Sequence, residues 1–335
     1  MTNSIEHESI ERGFTAAADH PGAGEAAFDL DIGFTVVACR STLSRRMYSW
    51  PFSLGHAFPL GVDSMACTMI LQTASGGLIG RDAVRQRISV RDGAHVEILG
   101  QGAMSVLGAD DDRPGVNEAS ILQVGTGSLM HYRPEIRIVF PRACLRQLTD
   151  AVVEPGGALI FSDAVVLHPT VNATNFGGLS STLRVSAASA DPAAIGEQPD
   201  RAKYPLSEET QGFRSLPPLL ERHRAFATVY LVSPYCAGFT DAALDAVAAR
   251  VEHVPGVYAS VMVLPGSAGI SVRMAAEDGE KLRRGLRESH DAFLSLALTA
   301  VLAKGCIPLR QAVPTDAGPT IGTPTAAVSR EKISA

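Results

Sequence analysis

The chain has 335 residues, of which 46% are apolar and 19% charged, with a formal net charge of −6. That balance is globular rather than disordered, and Lys and Arg residues scattered along an acidic chain exclude a basic stripe for nucleic acid. The five cysteines, Cys39, Cys67, Cys144, Cys236 and Cys306, are odd in number and lack any Cys-x-x-Cys pair, which excludes a disulfide framework or structural zinc and fits a reducing compartment.

Met1 to Glu11 is polar and acidic, without the basic start and apolar run of an export signal. Residues 1–33 are expected to form a mobile leader, and the protein to be cytoplasmic. One β-rich domain is expected over 34–312. From Thr35 to Val165 short β-branched runs alternate with Gly, Asp and Pro signals, the pattern of many short strands. Three segments share one design of strand, glycine turn and strand: Ile88 to Ile98, Ile121 to Tyr132, and Ala151 to Phe161. Their glycines, Gly93, Gly127 and Gly157, lie 34 and 30 residues apart. This spacing predicts stacked hairpins, each burying a face against the next.

Val185 to Pro218 reads as a long surface connection rich in Ala, Pro and Glu. An α/β portion follows over about 225–305. It has a strand at Phe226–Val232, a helix at Asp241–Val251 capped by Thr240, a strand pair at Val257–Leu264 and Gly269–Met274, and a helix from about Glu280 to Leu302. That last helix aligns Leu282, Leu286, Phe293, Leu296 and Ala300 on one stripe. Its apolar stretch, Ala292 to Ala303, is shorter than the roughly 20 residues of a bilayer span, so no membrane is expected. Residues 313–335 are rich in Thr, Pro, Ala and Gly and are expected to be disordered. The fold class is therefore mainly β, stacked strands in a β-helix-like or distorted sandwich arrangement, with two C-terminal α-helices.

Phosphate-loop, nucleophile-elbow and zinc-helix signatures are missing, so no catalytic residue is assigned and no enzyme activity is expected. Glu97 and His131 each lie four residues after a turn glycine, so stacking brings them together as candidate metal ligands, since imidazole and carboxylate suit nickel or zinc. Asp82 follows a glycine-dense loop, and Glu135 belongs to Arg133-Pro134-Glu135, where proline removes a backbone donor and demands an edge, a bulge or a strand start. Both join the candidates for transient metal contact. A bland alternative places His95, Glu97 and His131 on a solvated strand face.

Three stretches taken together resemble the urease accessory protein UreD family, also called UreH: Leu71 to Asp82, Tyr132 to Phe140 with Ala143, and Tyr258-Ala-Ser to Val272-Arg273. Gly76, Gly77, Gly80 and Asp82 match the family's glycine loop. Tyr132, Pro134, Ile138 and Phe140 match its Tyr-Leu-Pro-x-Pro-x-Ile-Pro-Phe segment, and Arg273 belongs to the third stretch. Arg81 replaces the loop's second glycine, which marks a divergent member. The resemblance implies a scaffold that binds the urease apoprotein together with UreF and UreG and supports nickel insertion. It implies no tightly bound cofactor, only nickel in transit. The alternatives are a UreD-like assembly factor for another metalloenzyme and a β-fold metal-dependent hydrolase.

Overall fold

The computed structural model describes residues 28–59, 65–108, 115–187, 206–216, 222–234 and 239–303. The expected tail at 313–335 and the leader up to residue 27 lie outside them. In chain order the strands are β1 (Leu30–Val37), β2 (Arg40–Tyr48), β3 (Phe52–Leu54), β4 (Phe58–Pro59), β5 (Ala66–Thr73), β6 (Gly77–Ile79), β7 (Ala83–Val90), β8 (His95–Gly100) and β9 (Ala103–Leu107). There follow β10 (Val116–Val124), β11 (Leu129–Arg133), β12 (Ile136–Val139), β13 (Cys144–Val153), β14 (Ala158–Leu167), β15 (Gly178–Ala187), β16 (Ser207–Phe213) and β17 (Ala225–Val232). Helix α1 (Asp241–Glu252), β18 (Val257–Val263), β19 (Gly269–Ala276) and α2 (Gly279–Ala303) complete the described chain.

The strands form two facing sheets. Sheet A has the order β16-β15-β13-β10-β7-β1-β2, and sheet B runs β18-β19-β17-β14-β11-β8-β5-β3 with the short strands β4, β6, β9 and β12 attached. Within sheet A, β1, β7, β10, β13 and β15 are parallel neighbours, as are β5, β8, β11 and β14 in sheet B. Each coil therefore contributes one strand to sheet A, crosses over, and returns through sheet B. The mainly β fold of stacked strands with two C-terminal helices is the one the sequence predicts.

The hairpin reading of the repeat is corrected. The strands flanking each turn, β7 and β8, β10 and β11, and β13 and β14, belong to different sheets and pair with neighbouring coils instead of each other. Equivalent turn bonds run from Ala94 N to Arg91 O, Ser128 N to Gly125 O and Gly157 N to Glu154 O. The residues with positive φ are accordingly Gly93 (77°), Gly127 (66°) and Gly156 (78°). The third turn glycine is thus Gly156, and Gly157 is needed for a different reason: a Cβ there would lie 2.8 Å from Gly125 O.

Two further boundaries differ from expectation. Strand β1 begins at Leu30, inside the expected leader, because Leu30, Ile32 and Phe34 alternate into the core. The presumed surface connection includes β16, which pairs antiparallel with β15.

Alternation builds the interior. Ile88, Val96, Ile98, Leu122, Val124, Met130, Leu145, Val153, Leu159 and Val185 fill the space between the sheets. Strand β14 is apolar on both faces, since Leu159 and Phe161 face that core while Ala158, Ile160 and Ala164 face a second one. Helices α1 and α2 cover this second core with Val247, Val251, Leu282 and Phe293. Thr240 caps α1 by accepting from Ala243 N, as expected. No described helix is long and apolar enough to cross a membrane.

Candidate functional site

The glycine loop is a tight corner between β6 and β7. Ile79 N donates to Asp82 Oδ2 at 2.8 Å and Asp82 N donates to Ile79 O at 3.2 Å, so Asp82 closes its own turn. Gly80 takes φ 64°, and a Cβ on Gly77 would lie 2.7 Å from Ser105 O in the next coil. Gly76 is exposed, and a Cβ there would meet nothing within 4 Å. These positions suit chain reversal and coil contact.

Residues 132–140 run through the middle of sheet B. The break at Pro134 and Glu135 separates β11 from β12 inside the sheet, where β12 lies between β9 and β14. It shifts the alternation by one residue, so Tyr132, Glu135 and Arg137 all point between the sheets. Tyr132 donates to Gln86 Oε1 at 3.3 Å, and Gln86 Nε2 donates to Ser120 Oγ at 2.6 Å. Arg137 Nε donates to both oxygens of Glu118 at 3.0 Å, Arg137 Nη2 lies 2.8 Å from Glu118 Oε1, and Gln147 Nε2 donates to Glu118 Oε2 at 2.8 Å. Glu135 accepts from Thr73 Oγ1 at 3.0 Å, and burial pushes its carboxyl above the ordinary range against the pull of Arg137. Ile138 is half-buried, and Phe140 stacks on His168 with ring centroids 4.2 Å apart. Arg273 forms an ion pair with Glu209 on the wall of a groove of about 540 Å³ between β15 and β16 on one side and β17, β18 and β19 on the other.

The outer face of sheet B holds a second polar cluster. Glu97 and His131 are direct register partners on β8 and β11, with His131 Nδ1 3.7 Å from Glu97 Oε1. His131 Nε2 lies 3.1 Å from Nδ1 of His290, which α2 lowers onto the sheet. Arg133 Nε donates to His131 Nε2 at 3.0 Å, and Arg133 Nη2 lies 3.4 Å from Glu97 and 3.5 Å from Asp291. Burial, then the Arg133 charge, pushes the His131 imidazole down to about 3; burial, then His131 and Arg133, holds His290 well below its usual value. Both rings are uncharged at neutral pH.

Among the four candidate metal ligands, then, stacking joins Glu97 and His131, while Asp82 closes a corner and Glu135 lies in the interior. Among the described residues no three His, Cys, Asp or Glu groups come close enough to hold a metal. The sequence reading gave no site role to Arg133, His290 and Asp291. His290 was accessible to it, since it lies four residues after Leu286 and three before Phe293, a polar residue within the apolar stripe of α2.

Comparison with known proteins completes the picture. The family model for the UreD urease accessory protein matches residues 25–308. Urease accessory protein UreD of Mycolicibacterium smegmatis is 35% identical over 257 residues, covering 77% of this chain and 87% of that protein. Urease accessory protein UreD 2 of Bradyrhizobium sp. strain BTAi1 is 33% identical over 261 residues, 76% of this chain and 85% of the relative. The chain belongs to the UreD urease accessory protein family.

Proposed function

We propose, with UreD membership as the premise, that this chain is a urease maturation factor working through its surfaces rather than by catalysis. It holds apo-urease subunits on one surface and UreF and UreG on another, in the cytoplasm, while nickel is inserted into the urease active site. The family match over residues 25–308 is the observation that carries the reading. The architecture supports it in two ways. The motif residues Gly77, Gly80, Asp82 and Tyr132 serve corners and coil packing rather than a reaction centre. Both helices pack on sheet B, which leaves the outer face of sheet A and the edge strand β2, with exposed Met47 and Tyr48, for partners. A specific complex needs about 800 Å² per partner, an area that a face of seven strands can supply. Nickel is in transit, with no resident cofactor.

The test is affinity purification of the tagged chain from cells expressing the urease subunits, UreF and UreG, together with urease activity in the presence and absence of the chain. Recovery of these partners and nickel-dependent activation that requires the chain are expected. Full urease activity without it, and no partner recovered, would overturn the reading and direct attention to another metalloenzyme client.

A further inference from the structure

Four strands end the two sheets, and three of them carry features that keep an edge from pairing with a further strand. Strand β2 bears Arg40, Arg45 and Arg46, β16 bears Glu208 and Glu209, and β3 is three residues long. Strand β18 differs. Its seven residues, Val-Tyr-Ala-Ser-Val-Met-Val, include no charge and no proline, and Tyr258, Met262 and Val263 are 73%, 39% and 53% exposed. Its backbone is open as well. Leu264 N donates to Gly269 O at 2.9 Å, and the continuous antiparallel register then makes Met262, Ser260 and Tyr258 the positions hydrogen-bonded to β19. Ala259, Val261 and Val263 therefore turn their N–H and C=O groups outward, where β18 has no further neighbour strand among the described residues.

A groove adjoins this edge on each face. The inner one, of about 540 Å³, is lined by Leu179, Phe213, Phe226 and Ala275 beside Tyr258. The outer one, of about 560 Å³, lies between β18 and α1 and is lined by Leu244, Ala248 and the exposed Asp245 and Glu252. The ion pair that α1 makes among the described residues joins Arg250 to Glu288 and leaves both of these carboxylates unpaired.

We propose that β18 is a strand-addition site for an extended segment of a partner protein in which apolar residues alternate with lysine or arginine. The segment's main chain pairs with Ala259, Val261 and Val263. Side chains of an added strand alternate between faces, so one row enters the apolar inner groove and the other meets Asp245 and Glu252 along α1. Main-chain bonds supply affinity and the alternate pockets supply specificity. A second copy is the poorer occupant. Two β18 edges joined about a two-fold axis would set the Asp245 and Glu252 carboxylates of both α1 helices side by side, with no basic residue on either strand to offset them. The surface is separate from the outer face of sheet A and from β2, and the proposal does not rest on which client the chain serves.

Fluorescence anisotropy of a labelled peptide, Lys-Val-Lys-Phe-Lys-Val-Lys-Val-Lys, titrated with the full chain tests it. Saturable binding is expected. Val261→Pro should weaken it about tenfold or more, because proline deletes an outward N–H without removing a bond to β19. An Asp245→Lys, Glu252→Lys double variant should weaken it about tenfold or more and should instead bind the counterpart peptide with glutamate in place of lysine. A peptide of the same composition with its apolar residues and lysines in separate blocks should bind about tenfold more weakly, which separates strand addition from attraction between charges. Circular dichroism is recorded for each variant, and the charge variants, which lie on an exposed helix face, carry the test together with the block peptide if Val261→Pro does not fold. Equal binding of the alternating and block peptides, equal binding by wild type and a folded Val261→Pro, or no binding of the alternating peptide overturns the proposal. So does a wild-type dimer in size-exclusion chromatography that Val261→Pro converts to monomer, which would assign the edge to a second copy.

Discussion

One strand path, β11 and β12, feeds two polar clusters that behave differently. Its inward residues Tyr132 and Arg137 enter a buried network between the sheets, where Glu118 receives Arg137 and Gln147 at 2.8–3.0 Å, while the Gln147 Oε1 atom has no partner among the described residues. Its outward residues His131 and Arg133 enter a cluster with one open side, where a single guanidinium is shared among three acceptors at 3.0–3.5 Å. Burial distinguishes the two. The buried Arg137–Glu118 pair ties one sheet to the other, whereas the partly exposed Arg133, with longer contacts, is held less tightly.

The largest expected effect tests the buried side. Arg137→Ala leaves Glu118 buried and uncompensated, and should cost about 3–5 kcal/mol of stability by urea denaturation; a loss no greater than that of Arg133→Ala would break the comparison. The next effect is pH. The folded-state pKa of His131 (about 3) and that of His290 lie below the ordinary 6.5, so the unfolded chain binds these protons more readily. Their contribution is full above pH 6.5 and is lost as pH falls from there toward 3. Urea midpoints should therefore drop between pH 7.5 and 5.5, and drop less in a His131→Asn, His290→Asn double variant. Arg133→Ala should cost no more than about 1 kcal/mol, as expected for a partly exposed pair. Glu135→Gln is the smallest. A raised folded pKa makes its carboxylate a burden above the ordinary range, so the amide, which can still accept from Thr73, should leave thermal stability at pH 7 within about 1 kcal/mol of wild type or slightly above it.

These expectations also mark where the sequence was legible. Repetition of the β7–β8, β10–β11 and β13–β14 design exposed the coil period and placed Glu97 beside His131, because parallel stacking preserves the offset from the turn. A glycine turn announces reversal but carries no record of which sheet receives the next strand, so arches between sheets read as hairpins. At Pro155-Gly156-Gly157 either glycine satisfies the pattern, and only coil packing selects Gly156 for the positive φ. Strand β16, Ser-Glu-Glu-Thr-Gln-Gly-Phe, has too few apolar residues to signal itself; its pairing with β15 defines it. His290 meets His131 across 159 residues, a contact made by docking α2 and therefore beyond any local pattern.

The two ends of the stack have a consequence of their own. In sheet A the five parallel strands from β1 to β15 stop at antiparallel β2 and β16, and in sheet B the parallel run stops at antiparallel β3 and β17. Reversed strands offer no continuation of the coil, so a second copy cannot extend the solenoid in phase. The parallel block consequently has a fixed length, four inter-strand steps or about 19 Å in sheet A, and whatever seats at its two ends is held at a spacing that changes only by whole strands.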